Sequence, residues 1–307
     1  MKKTILIFGI SSFVGSNLAE ALGKDYRIVG TYFENPIKIP GVFTLKCDVH
    51  KKDQVSNIVG FLKPNITIYA VGLSSVWACH QNPKLSDALN SAGVGNVASA
   101  SERVRAQFIY LSSAYALAGD DVLYKEGDTP FPVTVYGGSL AQSEYYIQKS
   151  CLNYLILRCG RLYGKSLSLV HHNWFETVHE KVIKSEVLNV DDSLKIGFMD
   201  IQLLALYIKS FIEKEISNRL VHVTSKDVMT YYQFTAKMLE IFRLDKSLLQ
   251  SQPWSFPIDQ KQLKLVKLQE QYTFHLDCNN AEILLEQSMP TIEESLQFSL
   301  KNVSKRS

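Results

Sequence analysis

Thr4-Ile5-Leu6-Ile7-Phe8 is an unbroken apolar run. A strand needs that pattern when both of its faces are covered, as they are in parallel sheets. The run stops at Gly9, and from Ser12 to Leu22 the apolar residues Phe13, Val14, Leu18, Ala21 and Leu22 recur at helical spacing before Gly23. One face of that helix is buried and the glycine ends it. Between strand and helix lies Gly9-Ile10-Ser11-Ser12-Phe13-Val14-Gly15, a turn whose helix N-terminus offers free N–H groups to a pyrophosphate. A tight turn without a ligand is the alternative.

The unit then repeats. Arg27 to Tyr32 and Val42 to Leu45 read as strands, the second ending at Cys47-Asp48. A helix near Lys52 to Leu62, a strand Ile66 to Ala70, a helix Pro83 to Val104 and a strand Phe108 to Leu111 follow. A helix of about Gly138 to Cys151 and a strand Tyr154 to Leu157 complete the series. Strands separated by helices pair in parallel through right-handed crossovers. The expected fold is α/β, a Rossmann-type doubly wound parallel sheet, with residues 1–164 as a dinucleotide-binding domain. Past Gly164 the alternation gives way to helices near Trp174 to Lys184, Ile201 to Glu213, Tyr231 to Phe242 and Ile292 to Val303, with short strands such as Leu220 to Val223. Residues 165–307 read mainly as a smaller C-terminal α/β substrate lobe, some segments of which return to the first domain. Gln250 to Tyr272, rich in Gln, Lys and Pro, reads as irregular.

Composition narrows the function. The chain of 307 residues is 46% hydrophobic and 21% charged, which excludes disorder and permits a large core. Its net charge of +3 is spread without a long block of one sign, so nucleic acid is not an expected partner. Cys47, Cys79, Cys151, Cys159 and Cys278 are odd in number and lack close paired spacing, which suits free thiols in a reducing compartment. The N-terminus runs directly into a strand, and no apolar run reaches the roughly 18 residues of a membrane span. A cytoplasmic protein without a membrane anchor is expected.

Several segments point to one family. Gly9 and Gly15 stand at the ends of a Gly-x-x-Gly-x-x-Gly turn, with Ser12 in place of the middle glycine. Leu111-Ser112-Ser113-Ala114-Tyr115-Ala116-Leu117-Ala118-Gly119 is similar to Ser-Thr-Asp-Tyr-Val-Phe-Asp-Gly. Leu157-Arg158-Cys159-Gly160-Arg161-Leu162-Tyr163-Gly164 is similar to Leu-Arg-Thr-Ser-Trp-Val-Tyr-Gly. Asn82-Pro83 with Asn90, Gly93, Gly95 and Asn96, the loop of Glu126, Asp128, Pro130 and Pro132, and Phe198-Met199-Asp200 extend the match along the chain. So does Val135-Tyr136-Gly137-Gly138-Ser139-Leu140-Ala141-Gln142-Ser143-Glu144. Together these resemble the extended short-chain dehydrogenases of the NAD-dependent epimerase/dehydratase superfamily, and within them most closely the dTDP-4-dehydrorhamnose reductase group.

That resemblance implies NAD or NADP as cofactor, a nucleotide sugar as ligand and a homodimer. It makes Tyr136 the proton donor to a carbonyl and Ser113 the hydroxyl that orients it. Cofactor contacts are implied for Gly9, Ser11, Ser12, Phe13, Val14 and Gly15, and for Asp48, Ala70, Gly72 and position 140. In the family, position 140 is a lysine that holds the nicotinamide ribose and stabilises the phenolate of the tyrosine. Leu140 does neither, so weakened catalysis is expected. A non-catalytic binding or regulatory subunit, as the beta subunit of methionine adenosyltransferase illustrates within the group, is the alternative. Neither Thr31 nor Tyr32 is the acid that would select NAD, and Glu34 and Lys38 lie further on, in a loop.

Two other patterns attract notice. Tyr145 and Lys149 repeat the Tyr-x-x-x-Lys spacing, but they fall on the opposite face of the helix from Tyr136. His172, Glu176 and His179 have helical ligand spacing without a fourth ligand, so no metal site is expected. His50, His80, His222 and His275 read as structural or exposed.

Overall fold

A computed structural model describes residues 2–167, 173–253, 257–259 and 271–303. In chain order, β1 (Thr4–Phe8), α1 (Phe13–Leu22), β2 (Arg27–Tyr32), β3 (Phe43–Lys46), α2 (Lys52–Leu62) and β4 (Ile66–Tyr69) build one half of a sheet. Next come α3 (Val76–Gln81), α4 (Pro83–Asp87), a π-helical turn (Ala88–Ala92) and α5 (Gly93–Arg103), leading into β5 (Gln107–Ser113). β6 (Leu123–Tyr124), α6 (Val135–Ser150), β7 (Tyr154–Cys159) and β8 (Arg161–Tyr163) follow. The remainder comprises α7 (Trp174–Ile183), β9 (Leu188–Val190), β10 (Leu194–Ile196), β11 (Phe198–Asp200), α8 (Ile201–Glu213), β12 (Arg219–Val223), β13 (Met229–Thr230) and α9 (Tyr231–Ile241). β14 (Leu249–Ser251), β15 (Tyr272–Leu276), α10 (Asn279–Leu285) and α11 (Ile292–Val303) complete the described elements.

The large sheet is parallel throughout, in the order β12-β7-β5-β4-β1-β2-β3. The apolar run of β1 now has its reason. Alternate side chains point to opposite faces, and Ile5 and Ile7 pack with Leu18 and Leu22 of α1 and Leu204 and Ile208 of α8. Leu6 and Phe8 pack on the other side with Val55 and Val59 of α2 and Val94 and Val97 of α5. Ile5, Leu6, Ile7 and Phe8 are all fully buried, each contributing about 2 kcal/mol of apolar transfer. This is the expected doubly wound sheet. Its strand order reverses between β1 and β4, the point at which such sheets open a crevice at their carboxyl ends.

A second sheet has the order β13-β10-β15-β6 and shares a core with α7, α9 and α11. β8 pairs with β11, and β9 with β14. The chain interleaves here. β6 joins the small sheet, whereas β12 returns to the edge of the large one.

Several boundaries differ from expectation. Pro83 to Val104 is not one helix but is broken by the π-helical turn, and α3 was not foreseen. α6 starts at Val135, so Tyr136 lies in its first turn, capped by Thr134, whose Oγ accepts from Gly137 N–H at 3.0 Å. Ser12 stands just outside α1 as its N-cap. Of Gln250 to Tyr272, residues 254–256 and 260–270 lie outside the described residues, and β14 and β15 reach into its two ends. All five cysteines are free and buried. Among the described residues no helix is long and apolar enough to cross a membrane.

Candidate functional site

The turn after β1 is shaped by its glycines. Gly9 adopts φ +82°, and a Cβ there would lie 2.6 Å from the Ala70 carbonyl oxygen; a Cβ on Gly15 would lie 2.2 Å from the Gly9 carbonyl oxygen. Both positions therefore admit only glycine, and the helix N-terminus is drawn against the ends of β1 and β4. Ser12 does not project into that space as a free side chain. Its Oγ accepts from Gly15 N–H at 2.9 Å and donates to the Ala70 carbonyl at 3.0 Å. The hydroxyl thus caps α1 and ties it to β4, using one of the open N–H groups. Phe13 and Val14, the first residues of α1, keep amides with no intrahelical acceptor.

A cleft of about 420 Å³ opens at this turn. Its floor is formed by Ser12, Phe13 and Val14 after β1, Ala70 and Gly72 after β4, and Ser113 at the end of β5. Tyr136 and Leu140 of α6 form a further wall. Ser12, Phe13, Val14, Ala70, Gly72, Ser113, Tyr136 and Leu140 thus share one cavity. Gly9, Ser11, Gly15 and Asp48 are not among its lining residues. The two glycines act from behind, by letting backbones approach. The Asp48 carboxylate accepts from His50 N–H at 3.0 Å and faces His50 Nδ1 at 3.1 Å, in the turn ahead of α2.

Tyr136 reaches the cleft because Gly137 lets α6 press on the preceding turn: a Cβ there would fall 1.9 Å from the Tyr115 carbonyl oxygen. The Tyr136 ring meets Tyr115 edge-on at 5.8 Å. Burial pushes the Tyr136 hydroxyl pKa well above its usual value of 10, and Cys79 adds to this, while the Arg161 guanidinium opposes it. Ser113 is 9% exposed, and its Oγ accepts from Tyr115 N–H at 3.5 Å. Among the described residues it makes no bond to Tyr136. Leu140 is 4% exposed and packs with Tyr110, Ala116 and Ile147 on its inner side.

One turn beyond Leu140, α6 is locked to the sheet by a fully buried pair. Glu144 receives Arg158 through Nε at 2.9 Å and Nη2 at 2.7 Å, and Ser112 Oγ donates to it at 2.5 Å. Arg158 Nη1 in turn reaches His222 Nε2 at 3.4 Å, while His222 Nδ1 faces the Asp277 carbonyl at 3.2 Å. The neutral ring therefore carries its proton on Nδ1 and accepts from the arginine. Burial, followed by the Arg158 charge, holds the His222 pKa down to about 3.

Tyr145 is 66% exposed, with Lys149 Nζ 5.8 Å from its ring centroid. This pair lines no part of the cleft. His172 lies outside the described residues, and Glu176 accepts from Ser166 and Asn173 N–H groups as part of the α7 capping box. Among the described residues, no group of three or more His, Cys, Asp or Glu side chains could hold a metal.

Three residues of the site were not expected there from the sequence, although Asn90 and Arg161 fall within the family-like segments. Asn90, in the π-helical turn, fixes the loop after β4 by accepting from Leu73 N–H at 2.9 Å and donating to the Leu73 carbonyl at 3.1 Å. Arg161 and Trp174 line both the main cleft and an adjoining chamber of about 300 Å³ that Trp77, Asp191 and Tyr231 help to close. No local pattern announces either one.

Comparison with known proteins fits this geometry. A family model described as the RmlD substrate binding domain matches residues 1–305. The probable low-salt glycan biosynthesis reductase Agl14 of Haloferax volcanii is 27% identical over 166 residues, 52% of this chain and 53% of that protein. The chain thus spans about half the length of that relative. Methionine adenosyltransferase 2 subunit beta of Bos taurus is 23% identical over 295 residues, 92% of this chain and 82% of that one. The crystal structure of Bacillus anthracis dTDP-4-dehydrorhamnose reductase in complex with NADP superposes with a TM-score of 0.81 at 22% identity, covering 98% of this chain and all of the other. At that identity the likeness establishes the fold.

Proposed function

Because this chain belongs to the RmlD substrate binding domain family, we propose that it binds NAD or NADP together with a nucleotide sugar, and that it reduces a keto-sugar slowly. The observation that supports the reading is the shared cleft at the strand-order reversal, with Phe13 and Val14 on one side and Tyr136 and Ser113 on the other. The cradle suits a dinucleotide. Glycines stand where any Cβ would strike backbone, and the Ser12 hydroxyl is turned inward. The Phe13 and Val14 amides would take the pyrophosphate, and the small residues Ala70 and Gly72 with the apolar side chain of Leu140 leave room beside it. When bound, the nicotinamide supplies hydride. Tyr136, kept protonated by burial, gives its proton to the carbonyl oxygen, and the Ser113 hydroxyl orients that oxygen. Proton donation is the weak step, since no cation at position 140 stabilises the phenolate that it leaves.

Trp77 and Trp174 border the cleft system and report on it. Titration with NADH and with NADPH should quench their fluorescence and saturate below millimolar concentration. A flat response to both cofactors removes the dinucleotide from the reading.

A second reading is favoured by Leu140, whose apolar side chain completes the core behind the cleft. In that reading the chain binds ligand without turnover, as a regulatory or binding subunit. Both readings share the binding step and part at turnover.

A further inference from the structure

Arg161 is held by its backbone. It opens β8 directly after Gly160, where a Cβ would lie 2.1 Å from the Gly197 carbonyl oxygen. Its own N–H donates to that carbonyl at 2.7 Å, and it pairs in register with Phe198 of β11. The side chain therefore leaves a rigid bend and runs to the junction of the two chambers, both of which it lines. Its guanidinium carbon lies 5.9 Å from the centroid of the Tyr231 ring.

Among the described residues the cation has no counter-charge. Among the described residues Arg161 forms no ion pair, and its Nε is shielded from solvent without a hydrogen-bond acceptor. The titratable groups facing it are the phenols of Tyr231, Tyr115 and Tyr136. Burial keeps the Tyr115 and Tyr136 hydroxyls protonated far above neutral pH, so neither supplies a negative charge. Asp191 borders the second chamber, but its carboxylate is engaged by Ser193 N–H at 3.0 Å, Ser193 Oγ at 2.5 Å and Leu194 N–H at 3.1 Å. Arg158, on the preceding strand, shows the contrast: it is fully buried and paired with Glu144, whereas Arg161 is only half-buried at the cavity wall and unpaired. A guanidinium is rarely left enclosed with donors unmet, because unsatisfied buried charge is costly. When such a group lines a cavity, the missing partner is a ligand that fits its planar fork.

We infer that Arg161 anchors an oxyanion of the ligand, a carboxylate or a phosphate, at the junction between the Tyr136 cleft and the Tyr231 chamber. The inference rests on the reading of this cleft as the ligand site and adds to it the chemical class of what enters: a ligand acidic at the point beside the reacting tyrosine. The oxyanion has two sources. A carboxylate on the sugar ring would make the protein selective for acid sugars, whereas the diphosphate of a nucleotide sugar would make it indifferent to the sugar.

The test is a calorimetric titration, without nicotinamide cofactor, of UDP-glucuronate, UDP-glucose and dTDP-glucose into the intact chain and into Arg161→Gln and Arg161→Lys. A sugar carboxylate predicts at least tenfold tighter binding of UDP-glucuronate than of UDP-glucose, abolished in Arg161→Gln and partly kept in Arg161→Lys. A diphosphate predicts equal binding of UDP-glucuronate and UDP-glucose, with every probe that binds weakened at least tenfold in Arg161→Gln. The anchor is overturned if Arg161→Gln leaves these affinities within twofold, or if no probe binds the unaltered chain at ten millimolar. Thermal melting of the ligand-free variants separates folding from binding. The cation's one described partner in the fold is the Tyr231 ring, a weak contact, so Arg161→Gln should melt close to the temperature of the unaltered chain, and a marked fall would assign Arg161 a structural role instead. NADH and NADPH titrations keep the two ideas apart: nucleotide-sugar binding that depends on Arg161, with no cofactor response, sustains the anchor and removes the dinucleotide reading.

Discussion

Residues at the cleft divide by whether their meaning is local or depends on their surroundings. Leu140 could be read in the sequence, because its departure from Tyr-x-x-x-Lys spacing is visible there, and its position on the cleft wall makes it testable. Leu140→Lys should raise keto-sugar-dependent NADH or NADPH oxidation about a hundred- to thousand-fold if the chain is a reductase, which corresponds to two to three pKa units on Tyr136. It should also cost about 1–3 kcal/mol, since Leu140 is buried. Leu140→Met, which preserves volume, serves as the packing control. Unchanged turnover in a folded Leu140→Lys protein would favour the binding subunit. Ser12 was legible only in part. Its position suggested an intruding side chain, but the rotamer that turns it into a cap depends on the Ala70 carbonyl, which is distant in sequence. Ser12→Ala should therefore lose about 1 kcal/mol in chemical denaturation, as N-caps do. Ser12→Gly should lose only a few tenths and, because the hydroxyl is turned away from the cradle, should leave cofactor binding in the fluorescence titration within about twofold. Arg161 carried no signal at all, because a charge without a partner is defined by what is absent around it.

At the level of elements, periodicity decided what could be foreseen. β1 and α1 were visible because a doubly covered strand is uniformly apolar and a half-covered helix is not. β6 and β13 are short, and two residues cannot display a repeat. The π-helical turn within Pro83 to Val104 was hidden because a single inserted residue barely disturbs the apolar spacing. α6 was expected from Gly138, whereas Thr134 caps it at Val135. Val135, Tyr136 and Gly137 are weak helix formers that only the Thr134 cap reveals as helical, and Gly137 stands there for its close approach to Tyr115 rather than for flexibility.

For the molecule as a whole, the buried Glu144, Arg158 and His222 chain joins α6, the helix that carries Tyr136, to the edge strand β12. Removing one partner of such a group strands the others. His222 adds a pH dependence with a definite sign. The unfolded chain takes up a proton below the ordinary histidine value of 6.5, while the folded ring resists protonation down to about 3. Below pH 6.5 the unfolded state therefore binds more protons, and stability falls as pH drops, by up to about 1.4 kcal/mol per unit. His222→Gln should be less stable than the parent at pH 7 and should show a flatter decline from pH 6.5 to 4.5 in denaturant titrations; parallel curves would show that the histidine does not sense acid. The exchange of strands across Gly164 reaches further. Because β6 is lent to the small sheet and β12 is returned to the large one, neither half of the polypeptide owns a complete sheet. A gene crossover near that glycine would pass on two frayed edges rather than two modules, so the two ends of this chain are obliged to be inherited together.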